Sequence, residues 1–317
     1  MLTSFLSKSR PGNLFIFATI LVLGYFISVL SHVFSPDALV QILKHLAMAG
    51  ICILFLLLFN FILEKNKITG QNIYGAFFFT IYWLMFPMIF LEINIFFANF
   101  FLLLALRRML SLGKDTNAAK KILDAGVWIS VAALFHFWCF LFLIPLWILI
   151  IQKPNRHYKQ LLMPLISIFM VMMIATSTII ILKGSLSWFR NWIPPLSLDF
   201  SAYNKSSLLI SSTVFFGFII WTSMTKLMRM PKYALNERPK QFSLLNILLI
   251  TTLIALGVPT KTGAELFFII PPAAIVTSHF FEERSLEKPR RTQKAEIWFK
   301  EILLWFLVAT VFSFIWL

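Results

Sequence analysis

Long apolar segments alternate with short basic segments along the whole chain. Eleven apolar segments can be marked, at residues 14–34, 46–63, 73–91, 93–106, 122–135, 137–151, 161–182, 207–225, 244–258, 266–281 and 298–316. A straight helix needs about 20 apolar residues to cross the hydrocarbon core of a bilayer. The pattern therefore predicts an all-α integral membrane protein, a polytopic helical bundle of about eleven (9–11) transmembrane helices.

Two places along the chain decide the number of spans. The apolar stretch 73–106 is interrupted only at residues 91–94, and the stretch 122–151 is interrupted only around His136. Read as helix pairs, these stretches bring the total to eleven spans. Several segments are then shorter than a straight span, so some helices are expected to be kinked, re-entrant or covered by neighbouring helices.

The basic residues favour the larger number of spans, because cytoplasmic loops carry an excess of Lys and Arg. With eleven spans and a cytoplasmic N-terminus, 23 of the 28 Lys and Arg residues face the cytoplasm. Merging both doubtful pairs into single spans reduces the ratio to 18 against 10. The basic stretch 107–121 is therefore predicted to form a cytoplasmic hairpin loop.

Composition agrees with a membrane protein and excludes some other classes. Hydrophobic residues make up 59% of the chain and charged residues only 13%, which leaves too little polar surface to coat a soluble globule. The net charge of +15 lies in short clusters between apolar segments, so nucleic acid is not an expected partner. Cys52 and Cys139 lie inside apolar segments and are expected to be packing residues. No shift in composition marks a second domain, so residues 1–317 are predicted to form a single membrane domain.

Catalytic motifs of the common soluble enzymes are absent from the sequence. It has no Gly-rich phosphate loop, no HExxH and no CxxC, so nucleotide hydrolysis and zinc catalysis have no support. The first apolar segment runs on to Phe34 without a small-residue cleavage site, which predicts a retained first helix. The few polar residues predicted on the outer face are therefore the candidates for catalysis or binding.

Two acidic residues are the candidate catalytic groups. Asp37 follows the first span in the sequence "SPDALV", where it fits either the first turn of a short interfacial helix or a general base or metal ligand at the membrane surface. Glu92 lies between two apolar segments, where an acid is costly unless it reaches water, a cation or a functional cavity. A turn at the interface is the alternative interpretation of Glu92. The eleven-span topology places both acids on the outer side.

Four further outer-face residues are candidate substrate-binding groups. His136 fits an interfacial residue as well as a functional one. Arg190 lies in an aromatic-rich loop, 183–205, that fits either anchoring at the headgroup level or a surface for a lipid phosphate or sugar. Lys261 and Glu265 precede a helix broken by two prolines, and they fit either an ion pair or a phosphate-holding lysine oriented by the glutamate.

Two family resemblances add to this interpretation. The stretches "ANFFLLLALRRMLSL" and "KKILDAGVWISVAALFHFWCFLFLIPLWILI" resemble a family of uncharacterised multi-pass inner-membrane proteins found in Bacteroidetes, over most of the chain. More remotely, the layout is similar to polyprenyl-phosphate-dependent glycosyltransferases of the GT-C type. The matching features are an acid after the first span, a second acid in the next outer loop, an AG…A pattern in short paired helices and a late basic residue, here Asp37, Glu92, Ala125, Gly126, Ala132 and Lys261.

The first resemblance implies a location in the bacterial inner membrane, as a multi-pass protein. The resemblance to GT-C type glycosyltransferases implies a role in building the cell envelope, with transfer or handling of a glycan on a polyprenyl-phosphate carrier. Asp37 would then activate an acceptor, Lys261 and Arg190 would hold phosphate, and a divalent metal is a candidate cofactor. Expected partners are membrane lipids, including a polyprenyl-phosphate-linked sugar, and proteins of an envelope complex. The alternative is a non-catalytic membrane subunit of an envelope or secretion complex, or a lipid transporter. In that case the same polar residues are interface anchors.

Overall fold

The computed structural model describes residues 2–9, 11–30, 38–113, 117–153, 157–185, 187–233, 237–282 and 290–315, which form helices and no strands. The α-helices are α1 (Leu2–Leu6), α2 (Pro11–Leu30), α3 (Ala38–Lys65), α4 (Tyr74–Leu84), α5 (Ile93–Leu110), α6 (Ala118–Phe135), α7 (Leu143–Ile151), α8 (Tyr158–Lys183), α9 (Trp188–Trp192), α10 (Ser206–Arg229), α11 (Arg238–Gly257), α12 (Ile270–Glu282) and α13 (Arg290–Ile315). Short 3-10 helices occupy Pro87–Phe90, Ser111–Gly113, Phe137–Phe142, Ser201–Asn204, Met230–Lys232 and Ala264–Phe268.

Within the described residues, six helices are long and apolar enough to cross a membrane. They cover Gly12–Val29, Ile42–Lys65, Ile93–Leu110, Tyr158–Lys183, Ser206–Lys232 and Arg238–Gly257. The prediction of an all-α chain is confirmed, and each of the eleven predicted apolar segments contains a helix. Of the first predicted interruption, 91–94, only residues 91 and 92 lie between helices, because α5 begins at Ile93. The second lies between helices as predicted, since α6 ends one residue before His136. A crossing by all eleven segments, and a cytoplasmic N-terminus, stay predictions.

The chain divides into two compact units, each assembled from separate stretches of sequence. Unit 1 comprises Met1–Leu91, Tyr203–Arg229 and Ala273–Leu317, and unit 2 comprises Glu92–Ala202 and Met230–Pro272. The chain therefore passes between the units four times. The single membrane domain expected from the sequence stays a prediction.

Helix α4 forms the core of unit 1. Its residues 74–83 are all buried, as expected for a short helix that is apolar on every side. Phe59 of α3 stacks on Phe79 of α4 with ring centroids 4.5 Å apart, and Tyr82 of α4 meets Phe215 of α10 edge-on at 4.9 Å. Aromatic pairs of this kind add about 0.5–1.5 kcal/mol each beyond the area they bury. Much of the Phe-rich composition is therefore used in packing unit 1.

Helices α5 and α6 form an antiparallel hairpin in unit 2, as the sequence predicts for the stretch around 107–121. Phe101 stacks on Trp128 at 5.8 Å, and nearer the connecting turn Arg108 pairs with Asp124 at 2.9 Å. Both charged side chains are partly exposed, so the pair contributes at most about 1 kcal/mol. Packing of buried apolar side chains between α5 and α6 therefore contributes more to the hairpin than this ion pair does.

Small residues let α6 and α8 approach closely within unit 2. A side chain added at Gly126 would come within 2.7 Å of Oγ of Ser167 and 3.2 Å of Cα of Pro164. The hydroxyl of Ser167 donates a hydrogen bond across the contact to the carbonyl oxygen of Leu123, at 3.0 Å. Small residues and bridging hydroxyls are typical of helix contacts in membranes. The AG…A pattern is therefore explained by packing in this structure.

Helix α8 differs from the other long helices of unit 2. Only 11% of its apolar stretch is buried inside the protein, against 50% for α5 and for α11. Large apolar side chains such as Ile181 and Leu182 remain exposed along it. Exposing such a large apolar surface to water is unfavourable, so the exposure of α8 fits a helix surrounded by lipid.

Candidate functional site

A buried lysine closes the C-terminal end of α11. The chain turns through residues 258–263, and Lys261 in this turn is only 5% exposed. Its Nζ atom donates hydrogen bonds to the carbonyl oxygens of Ala255, Leu256 and Val258 at 3.1, 2.6 and 2.6 Å. The last carbonyl groups of a helix lack partners within the helix and carry partial negative charge. Lys261 therefore caps α11, and its three bonds use the three donors of an ammonium group.

Glu265 holds the same turn from its other side. Its Oε2 atom accepts hydrogen bonds from the backbone N–H groups of Thr262 and Gly263 at 3.1 and 2.8 Å. Gly263 has φ of 91°, a conformation that other residues rarely adopt. Burial lowers the pKa of Lys261, and the negative charge of Glu265 acts in the opposite direction. The glutamate therefore shapes the turn and helps to keep the lysine charged.

His136 lies at the break between α6 and the 3-10 helix Phe137–Phe142. Its backbone is extended, and its ring stacks on Phe268 with centroids 5.5 Å apart. Burial lowers the pKa of His136 to about 4, and the positive charge of Lys261 acts in the same direction. The imidazole is therefore neutral near pH 7. Its Nε2 atom is buried and has no hydrogen-bond partner among the described residues.

Trp138 was not singled out by the sequence analysis and lies against the same segment. A side chain added at Gly257 would come within 2.5 Å of its ring carbon Cγ, so the absence of a side chain there makes room for the indole. The Nε1 atom of Trp138 is also buried and has no partner in the described part of the chain. A buried polar group left unpaired costs about 1–3 kcal/mol. Two such atoms therefore flank the segment that contains Lys261.

The structure describes Glu92 fully, Arg190 without its side chain, and Asp37 not at all. Glu92 directly precedes α5 and is half-buried, and its side chain makes no capping hydrogen bond. Farther along α5, Asn99 is buried and donates a hydrogen bond to the carbonyl oxygen of Phe267 at 2.8 Å. Asp37 lies outside the described residues. Arg190 belongs to α9, but its side chain is not among those described. The structure therefore brings together His136, Lys261 and Glu265 of the predicted set.

A second buried polar cluster lies in unit 1, and the sequence analysis missed it. Nζ of Lys226 lies 2.6 Å from Nδ1 of His279, and Nε2 of His279 lies 2.7 Å from the carbonyl oxygen of Ile68. Glu282 accepts a hydrogen bond from the backbone N–H of Gly70 at 3.2 Å. The only sequence signal is the proximity of histidine and glutamate in "SHFFEE". The lysine itself was assigned to a basic loop.

Among the described residues, no group of three or more His, Cys, Asp or Glu side chains could hold a metal ion. Asp37 lies outside those residues, so a divalent metal stays a prediction.

The helices and their apolar surfaces fit a multi-pass membrane protein with a small polar site buried in unit 2. The chain matches a family of unknown function, DUF6427, over residues 1–317, and it belongs to that family. No curated protein and no solved structure matches it. The function must therefore be argued from the site.

Proposed function

We propose that this protein transfers or handles a glycan on a polyprenyl-phosphate carrier, at the outer face of a bacterial inner membrane. In this proposal eleven helices cross the membrane from a cytoplasmic N-terminus. Asp37 and Glu92 are the candidate catalytic acids, as in the GT-C type glycosyltransferases that the chain resembles. The donor lipid enters the site sideways from the bilayer.

The observation that supports this proposal is the buried polar group of unit 2. His136, Lys261 and Glu265 were expected on the outer face from the sequence, and they lie near enough for their charges to interact although more than a hundred residues separate the first from the other two. Polar atoms buried among apolar helices are costly unless they are paired or used. Nε2 of His136 has no hydrogen-bond partner among the described residues, so it is available to a ligand.

The residues of the site have different roles in this proposal. The three N–H groups of Lys261 donate to backbone carbonyl oxygens and hold the turn in place. Lys261 therefore acts on a phosphate through its positive charge and not through a direct hydrogen bond. Direct hydrogen bonds to phosphate fall to Arg190, whose guanidinium suits a bidentate contact. Glu265 keeps the turn in shape, and His136 contacts the part of the substrate that enters the turn.

The experiment that tests the function uses a deletion strain and its polyprenyl-linked lipids. The strain should accumulate a polyprenyl-phosphate-linked sugar, measured by mass spectrometry of extracted lipids. Neither Asp37→Asn nor Glu92→Gln should restore the normal lipid pool, since loss of a general base lowers a rate by about 100-fold to 10,000-fold. Asp199→Asn is the matched control, because Asp199 is an exposed acid of the same predicted outer face. An unchanged lipid pool in the deletion strain would contradict the proposal.

The proposed orientation has a test of its own. A single cysteine at Thr116, in a background lacking Cys52 and Cys139, should be protected from a membrane-impermeant thiol reagent in intact cells. The reason is the excess of basic residues in the surrounding stretch 107–121. Strong labelling would place that stretch outside and overturn the eleven-span topology.

A non-catalytic membrane subunit, or a lipid transporter, is the second candidate function. The observation that favours it is the engagement of both Lys261 and Glu265 with the protein's own backbone. On that account Asp37→Asn and Glu92→Gln would complement the deletion fully at normal abundance. Only variants that unfold unit 2, such as Lys261→Met, would then fail.

A further inference from the structure

We propose that His136 and Trp138 form a recognition site for hydroxyl groups, and that its ligand is the sugar of a carrier lipid and not the phosphate. This inference rests on the proposed function and specifies which part of the substrate the turn of unit 2 contacts. It rests on the polar atoms around Lys261 that have no hydrogen-bond partner in the described residues.

The charged groups of the turn are already engaged by the polypeptide. The three hydrogen bonds of Lys261 go to carbonyl oxygens within its own turn and the end of α11. Oε2 of Glu265 accepts two backbone N–H groups, and the amide of Asn99 donates to a backbone carbonyl of the adjacent 3-10 helix. Strong phosphate binding needs charge-assisted donors that are free to turn toward the anion. Lys261 could supply them only by uncapping α11.

The unpaired atoms belong to the two neutral rings. Nε2 of His136 and Nε1 of Trp138 are both buried, and neither has a hydrogen-bond partner among the described residues. The side chain of His136 is more than nine-tenths buried. These rings contact the two ends of one segment, since His136 stacks on Phe268 and Trp138 lies on Gly257. Both rings are therefore fixed in place beside the same turn.

The chemistry of these two atoms matches a hydroxyl-bearing ligand. An indole N–H can only donate, and a neutral imidazole has one donor nitrogen and one acceptor nitrogen. A hydroxyl group both donates and accepts, so it can satisfy either atom whichever imidazole tautomer is present. The lowered pKa of His136 supports this assignment, because a neutral ring is poorly suited to an anion.

The test compares two lipid probes on the purified full-length protein. One probe is a short-chain polyprenyl phosphate, and the other is the same lipid with a hexose linked to its phosphate. Thermal stability is measured across a titration of each lipid. The hexose-bearing lipid should bind at least about 10-fold more tightly to the wild-type protein, a difference of about 1.4 kcal/mol.

Variants then locate the selectivity. Trp138→Phe, which keeps a ring and removes the N–H, and His136→Leu should each reduce the preference for the hexose-bearing lipid, whereas His136→Gln should keep part of it. Trp147→Phe is the matched control, because the indole N–H of Trp147 already donates to the carbonyl oxygen of Leu161 at 3.2 Å. Its loss should lower stability without changing the preference.

The outcomes separate this inference from the proposed function. Equal binding of both lipids to the wild-type protein, which needs no variant, would overturn sugar recognition and leave a carrier-lipid function standing. A preference that survives in both Trp138→Phe and His136→Leu would move the sugar site elsewhere and also overturn the inference. Binding of neither lipid would overturn the proposed function and this inference together.

Discussion

Lys261 of unit 2 and Lys226 of unit 1 are equally buried, at 5% exposure each, but they are held in different ways. Lys261 donates hydrogen bonds to backbone carbonyl oxygens, which are acceptors that do not titrate. Lys226 meets the side chain of His279. Because an ammonium group can only donate, the facing Nδ1 of His279 must accept, and its ring proton must then lie on Nε2, toward the carbonyl oxygen of Ile68.

This difference shows that a buried lysine in an apolar protein is not by itself evidence of a ligand site. The lysine of unit 2 completes a helix end, and the rings of His136 and Trp138 beside it each have a buried nitrogen atom without a hydrogen-bond partner in the described part of the chain. The lysine of unit 1 joins two helices and a loop through a histidine whose protonation state is fixed by its neighbours. In both units the partners of the lysine, and not its charge alone, determine its role.

The largest expected effect is the loss of stability on replacing Lys261, which should exceed the loss on replacing Lys226. Lys261→Met should destabilise the protein by roughly 3 kcal/mol, because it leaves buried carbonyl groups without a donor. Lys226→Met should cost less, about 1–2 kcal/mol, since it removes one hydrogen bond to the His279 ring and also removes a buried charge. The measurement is the apparent melting temperature of each variant in the same detergent. A larger loss for Lys226→Met would contradict the assignment of Lys261 as the structural cap.

Acidification should destabilise unit 2 through His136. Its pKa is lowered from an unfolded value of about 6.5 to about 4, so its neutral form stabilises the folded state above pH 6.5 and this contribution is lost as the pH falls toward 4. The loss is on the order of 3 kcal/mol for a buried group. Melting temperatures of the wild-type protein and His136→Gln, measured from pH 7 to pH 4, should therefore converge. Parallel curves would show that His136 is not buried as described.

A substitution at Gly257 tests whether the Trp138 ring packs against this residue. Gly257→Ala should cost about 1–3 kcal/mol, because the new methyl group would lie within 2.5 Å of the indole. Gly217→Ala is the matched control in unit 1, since nothing lies within 4 Å of the new side chain and alanine favours a helix by about 0.5–1 kcal/mol. Equal melting temperatures for the two variants would mean that Trp138 does not occupy this position.

The smallest effect concerns the histidine of unit 1. His279→Gln should lower stability by less than about 1 kcal/mol, because an amide can still accept from one side and donate to the other. His279→Leu should cost about 1–3 kcal/mol, since it can do neither. Melting temperatures of the two variants give the comparison. A glutamine variant as unstable as the leucine variant would argue against the proposed sequence of donors and acceptors.

The sequence was sufficient to predict the helical class and the positions of most helix breaks, because apolar segments are long and polar residues rare. It could not distinguish helices that face lipid from those that face protein. The short helix α4 and the long helix α8 are both strongly apolar, yet α4 is enclosed within unit 1 and only 11% of the apolar stretch of α8 is buried. That difference depends on contacts between distant segments, which the pattern of a single sequence does not contain.

The site was predictable only as far as its charges. Lys261, Glu265 and His136 were found because ionisable residues stand out in such a chain. Trp138 was missed because tryptophan is common at membrane interfaces, and its position depends on Gly257, which lies 119 residues away. Lys226 was missed because it lies three residues before the end of α10, where a lysine ordinarily reaches water.

The most direct test of this account is a cryo-electron microscopy map of the full-length protein in nanodiscs with a polyprenyl-phosphate-linked hexose. We expect the hexose within about 3.2 Å of Nε2 of His136 or Nε1 of Trp138, with Lys261 still bonded to the carbonyl oxygens at the end of α11. A map in which Lys261 has left those oxygens to bind the phosphate, or in which only water contacts the two rings, would contradict it.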